Sequence, residues 1–178
     1  MKRVLFGLAA TAAVAMTLAG CAGTGTTSGG AKATATLEPK SGTNTGGTVT
    51  FTQQSGGVMM VASVTGLPPN TTHGFHVHEK GDCSAPDAMT AGGHFNPAGK
   101  PHGQMNMPDH HAGDMNNLTA DANGNARASF LLPDLSVGTG PNGVIGRAVV
   151  VHKDPDDYKT QPTGNSGGRI ACGVVAAS

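Results

Sequence analysis

The chain has no tryptophan, one tyrosine and five phenylalanines, and only 12% of its residues are charged. Eleven basic residues balance eleven acidic ones, so no bulk charge argues for a nucleic-acid partner or an anionic membrane surface. Long apolar runs are missing after residue 20, and cysteine occurs only three times. What remains is rich in Thr, Val, Gly, Asn and Pro, with 28 glycines among 178 residues. β-Branched residues fit pleated surfaces, while Gly and Asn accept turn dihedrals, so the composition suits short strands and many turns rather than helices. The length suits one domain with a proper core.

The N-terminus reads as a targeting segment. Lys2 and Arg3 precede a small-residue apolar stretch from Val4 to Gly20, marginal for spanning a bilayer and followed by no basic stop-transfer cluster. It ends in Leu18-Ala19-Gly20-Cys21, which resembles a bacterial lipobox and implies cleavage before Cys21 and lipid on that residue. Residues 1–20 are then a lipoprotein signal peptide, 21–32 a lipidated cysteine with a Gly/Thr/Ser-rich tether, and 33–178 the folded domain. Removing the leader leaves nine basic residues against eleven acidic, a net charge of −2. The expected location is the cell envelope, periplasmic or on the outer surface, with the membrane as a partner through Cys21. In an oxidising compartment Cys83 and Cys172 remain to pair. A bridge closing 89 residues is worth about 4–5 kcal/mol in the chain-entropy account.

From residue 33 the pattern predicts strands at 33–38, 47–53, 57–65, 73–79, 117–121, 126–132, 145–152 and 169–175. Turn signals separate them, including Asn123-Gly124 between two alternating runs. Eight short strands predict an all-β antiparallel sandwich or barrel. The stretches 80–116 and 153–168 are long for plain connections, which marks them as functional.

Those stretches hold or adjoin seven residues able to ligate metal: His76 and His78 in HGFHVHEKGD, His94 in GGHFNP, His102 in KPHG, His111 and Asp114 in HHAGD, and His152 in AVVVHKD. Alternate residues of a strand share a face, so His76 and His78 project together while Phe75 and Val77 turn to the core. Adding His152 from a neighbouring strand and a loop histidine makes an all-nitrogen tetragonal set, which suits Cu(II). His94, His102, His111 and Asp114 fall within twenty-one residues and suit tetrahedral zinc.

These segments, together with GRAVVVH and GNSGGRIACGVV, resemble in order the signature segments of the copper–zinc superoxide dismutases. The resemblance implies an eight-stranded antiparallel Greek-key β-barrel, a flattened sandwich carrying long metal-binding loops. It implies one copper per subunit on His76, His78, His94 and His152, and one zinc on His94, His102, His111 and Asp114, with His94 bridging. It further implies a Cys83–Cys172 disulfide, Asp156 as the carboxylate joining a copper-side and a zinc-side histidine, and Arg169 as the cation that orients the superoxide anion. Dismutation to dioxygen and hydrogen peroxide, protecting the envelope from extracytoplasmic superoxide, is the implied activity.

The segment 153–168 is shorter than the family's eukaryotic counterpart, and Lys159 reads as an ordinary solvated charge. Met105, Met107 and His110 could form an accessory Cu(I) site, though packing of the methionines against the barrel explains them more simply. His73 reads as structural. The competing function is a non-catalytic copper-binding or copper-delivery lipoprotein on the same barrel, and the assembly is a monomer or a homodimer.

Overall fold

The computed structural model describes Met1 and residues 30–178. The expected leader, Cys21 and most of the tether therefore lie outside the described residues.

The described chain is built from ten strands: β1 (Lys32–Pro39), β2 (Gly46–Gln54), β3 (Gly57–Thr65), β4 (Thr72–His73), β5 (Phe75–His78), β6 (Leu118–Thr119), β7 (Ala126–Leu132), β8 (Ala148–His152), β9 (Arg169–Val174) and β10 (Ala176–Ala177). Side by side they run β5, β8, β9, β1, β2, β3, β7, with β10 added to β1 and every pair antiparallel. The sheet curls, and β4 pairs with β6 near its two ends while Ala120 N–H donates to the Thr71 carbonyl. The chain crosses from β3 to β5, back to β7 beside β3, and again to β8 beside β5, which is the Greek-key path.

Alternation explains the curl. Val58, Met60, Ala62 and Val64 of β3 are buried, as are Val49 and Phe51 of β2, while Val61 between them is 47% exposed. Each such Val, Met or Phe side chain taken from water contributes about 1.5–3 kcal/mol. Strands β5 and β8 depart from this pattern because every residue in them is buried. Phe75, Val77, Val149 and Val151 join the barrel core. On the opposite face Ala148 and Val150 pack with Ala88, Ala91, Cys172 and Cys83 beneath the segment that follows β5. The second face of these strands is where the candidate ligands sit.

Four expected strands come out shorter, 169–175 by only its last residue. The run 73–79 is interrupted at Gly74, whose N–H donates to Asp154 and whose carbonyl accepts from His152 N–H. A Cβ there would meet Ser166 Oγ at 2.7 Å, so glycine lets the 153–168 segment approach. Only Leu118 and Thr119 of 117–121 pair, and 145–147 forms a turn ahead of β8. The disulfide between Cys83 and Cys172 is formed, with Cα atoms 5.8 Å apart.

Candidate metal centre

The segment after β5 folds back on that strand's outer edge. Val77 N–H donates to Gly113, Phe95 N–H to Val77, Glu79 N–H to Gly93 and Gly113 N–H to Phe95. This covers an edge that would otherwise be open, and sets Asp114 opposite His76 and His94 opposite His78. From the other side, the register shifts between Val151 and His152, so that His152 faces Arg169 of β9. Such irregularities re-aim a side chain beside a site.

Two groups of buried donors result. In one, ligand atoms of His76, His78, His94 and His152 all lie within 4.8 Å of one another; in the other, those of His94, His102, His111 and Asp114 do. All seven sequence-predicted residues are brought together, and His94 belongs to both sets.

Hydrogen bonds choose which ring nitrogen faces inward. A carbonyl only accepts, so His78 Nδ1 must donate to Gly92 O at 3.0 Å, and His152 Nδ1 to Gly167 O at 3.4 Å. Their Nε2 atoms then face each other at 3.3 Å. His76 Nε2 donates to Asp156 Oδ2 at 2.7 Å and His102 Nε2 to Asp156 Oδ1 at 3.0 Å, which turns both Nδ1 atoms inward. His94 Nδ1 lies 2.8 Å from Asp114 Oδ1 and 3.4 Å from His111 Nδ1. His102 Nδ1 is 3.0 Å from Asp114 Oδ2 but poorly aligned for a hydrogen bond.

Among the described residues three buried ring nitrogens lack a hydrogen-bond partner: His76 Nδ1, His94 Nε2 and His102 Nδ1. A buried polar atom left so costs about 1–3 kcal/mol. The three are inward-facing atoms of the two donor groups, and they supply the lone pairs a cation needs. The first group is all imidazole, which suits copper. The second adds a carboxylate, as zinc sites often do. The donor chemistry fits both metals.

Burial disfavours charge on His76, His78, His94 and His152 and lowers all four, His94 to about 4. Burial also opposes charge on His102, but its contacts with Asp114 and Asp156 prevail and push it up to about 9. Those same contacts hold both carboxylates below their usual range against the burial penalty. Histidines lowered by folding bind protons in the unfolded chain first, so stability falls as pH drops from 6.5 toward 4. The raised His102 contributes fully below 6.5 and is lost as pH rises toward 9. The metal-free protein should therefore show its highest thermal midpoint near pH 6.5, with the steeper fall on the acid side. A midpoint that keeps rising to pH 9 would contradict this assignment.

Arg169 sits at the start of β9, 9% exposed. Its Nη1 donates to Ala88 O at 2.8 Å and its Nη2 to Gly92 O at 2.6 Å. Both partners are carbonyls, so the charge is held in place without being neutralised, although burial lowers its affinity for the proton. Gly92 O also receives His78 Nδ1, which places the cation one carbonyl away from the all-imidazole group. The segment supplying both carbonyls is tied down by Cys83.

The remaining candidates separate from the centre. His110 donates from Nδ1 to the His111 carbonyl and turns Nε2 toward Asp134 at 3.5 Å. Met105 packs on the barrel core, Met115 is buried in it, and Met107 is exposed. No accessory thioether cluster forms among the described residues. His73 donates from Nδ1 to the His152 carbonyl at 2.9 Å, a structural bond. It lines a cavity of about 910 Å³ with Leu67, Pro68 and Ile170, which touches none of the candidate ligands.

The family model for copper/zinc superoxide dismutase (SODC) matches residues 45–175. The chain belongs to that family. It is 45% identical over 127 residues to Cu-Zn superoxide dismutase 2 of Aquifex aeolicus (strain VF5), covering 69% of this chain and 74% of that one. Cu-Zn superoxide dismutase 1 of the same organism is 46% identical over 127 residues, with 69% and 75% coverage. Among solved structures, the clock protein EA4 superposes with a TM-score of 0.74 at 43% identity, over 83% of this chain and 94% of that one. A SOD-like protein from Bacillus subtilis gives 0.72 at 37% identity, over 79% and 96%. Membership makes the chain an oxidoreductase of the superoxide dismutase type, with copper and zinc as its metals and superoxide as its substrate.

Sequence reasoning missed the groups that hold the centre in shape. These are the Ala88 and Gly92 carbonyls, Asn117, Gln161 and Gly164. A Cβ on Gly164, whose φ is +67°, would fall 1.7 Å from Asp156 Oδ1 and 2.7 Å from His102 Nε2. Gly164 opens the segment GNSGGR, but nothing in the residue pattern shows that its missing side chain makes room for Asp156 and His102.

Proposed function

We propose that the protein is an exported, lipid-anchored enzyme that dismutes superoxide outside the cytoplasm and so protects the cell envelope. The domain at 33–178 would be carried on a leader at 1–20 and a tether at 21–32. In this reading His76, His78, His94 and His152 hold copper, while His94, His102, His111 and Asp114 hold zinc. The observation that carries it is His94: one ring belongs to both donor groups, with Nδ1 beside Asp114 and a buried, unpartnered Nε2.

Copper, when bound, would supply the one-electron redox chemistry that the two halves of superoxide dismutation require. The residues do the rest. Arg169 is the fixed cation that draws the anion in. Peroxide formation consumes two protons for every pair of superoxides, and His94 Nε2 is an atom able to hold one when no metal engages it. Asp156 fixes His76 and His102 in the tautomers that leave Nδ1 free, as carboxylates behind metal-bound imidazoles do. The mature chain is slightly acidic, so attraction must be local to the mouth. Lys159 is exposed and lines a small cavity beside His102 with Met107 and Asp109. The turnover rate should fall as ionic strength rises, read by pulse radiolysis or stopped flow. A rate independent of salt would show that Arg169 does not steer.

The Bacillus subtilis relative is known only as SOD-like, which favours a second reading, a copper-binding lipoprotein without turnover. That role would tolerate loss of the shared histidine, Asp156 or Arg169, and this chain keeps all three. Metal analysis and a superoxide assay on residues 22–178 decide between the readings: one copper, one zinc and rapid turnover are expected. A fully loaded but inactive sample would favour the second.

A further inference from the structure

The bond between His102 Nε2 and Asp156 Oδ1 joins the segment 80–117 to the segment 153–168, and both ends are gripped by side-chain amides from the opposite segment. Gln161 Oε1 accepts from His102 N–H at 2.8 Å, and Gln161 Nε2 donates to the His102 carbonyl at 2.9 Å. Asn117 does the same to Asp156: its Oδ1 accepts from Asp156 N–H at 2.9 Å and its Nδ2 donates to the Asp156 carbonyl at 2.9 Å. Each amide therefore satisfies both backbone groups of one residue, leaving that residue little freedom to rotate. Tyr158 closes the loop, because its hydroxyl accepts from Asn117 N–H at 2.8 Å and its own N–H donates to Asp156 Oδ1 at 2.7 Å.

We infer that Asn117 and Gln161 are positioning residues, a two-way latch that sets the His102–Asp156 bond and so presents His102 Nδ1 to the zinc-side group. The inference rests on the assignment of that group to zinc. Neither amide reaches the seven candidate ligands' inward atoms, so the latch acts through backbone placement alone. Asn117 is half-buried and Gln161 exposed, so neither is part of the core. The two act on opposite ends of one hydrogen bond, which makes their effects interdependent. Once either grip is released, His102 and Asp156 can drift apart and the other grip holds a partner that no longer matters.

The test is a double-mutant cycle on the full domain, with zinc affinity measured by competition against a chelator of known strength. Co(II) substituted for zinc reports ligand geometry through its visible spectrum. Loss of a residue supporting a metal ligand typically weakens binding about 10–100-fold. Asn117→Ala and Gln161→Ala should each weaken zinc about 10-fold and alter the Co(II) bands. The double variant should be little worse than either single one, far short of the product. Copper stoichiometry should stay at one. Zinc affinity unchanged in the singles, or losses that multiply in the double, would overturn the latch. Should Asn117→Ala fail to fold, Gln161→Ala alone still decides, because unchanged affinity and Co(II) bands there refute the inference. A wild-type domain that takes up no zinc would instead refute the assignment beneath it.

Discussion

Replacing His94 with alanine is expected to lower superoxide turnover by at least about 100-fold. It should also uncouple the two metals, so that adding zinc no longer changes the spectrum of bound Cu(II). Residues that merely support a ligand cost about 10–100-fold in metal affinity or activity when lost. His94 is a candidate ligand on both sides, so the upper end of that range is a floor. Its ring has Nδ1 against Asp114 and His111, while Nε2 is buried without a partner beside the rings of His76 and His78. No other side chain is shared by the two groups. The fold should survive, because β5, β8 and the barrel core do not depend on that ring. Retention of more than a tenth of the activity, or of the zinc effect on the copper spectrum, would show that the groups work separately.

The second large effect belongs to the disulfide. Cutting it with Cys83→Ser and Cys172→Ser should remove about 4–5 kcal/mol of stability, the chain-entropy value for a loop of 89 residues. Stability is only part of the expectation. Cys83 anchors the segment whose Ala88 and Gly92 carbonyls receive Arg169, and whose Gly92 carbonyl also fixes the tautomer of His78. Lys40 Nζ adds a further tie by donating to the Cys83 carbonyl at 2.6 Å. The variant should therefore lose the salt dependence of its rate as well as thermal stability, measured by denaturant unfolding and by kinetics at two ionic strengths. A fall in stability that leaves rate and salt response unaltered would mean that Arg169 needs no covalent anchor.

Legibility in the sequence followed the physics of each element. Strands 57–65 and 126–132 matched their predicted bounds because one face meets water, and alternation then marks each end. The sequence pattern extends strand β8 back to 145 because the strand is buried on both faces, where alternation vanishes and an apolar run does not show where pairing starts. The interruption at Gly74 came from bonds to residues 152 and 154, which no local pattern encodes. Donors were readable because imidazoles at fixed short spacings are rare. Their supports were not, since Asn117 and Gln161 look like any polar loop residue until the chain closes. The role of the Gly92 carbonyl is carried by backbone alone and leaves no trace in residue type.

The most direct test is anomalous diffraction at the copper and zinc edges from crystals of the domain loaded with both metals. We expect copper among His76, His78, His94 and His152, zinc among His94, His102, His111 and Asp114, and the His94 ring in contact with both. Ions found in other places, or a His94 ring bound to only one of them, would contradict the account.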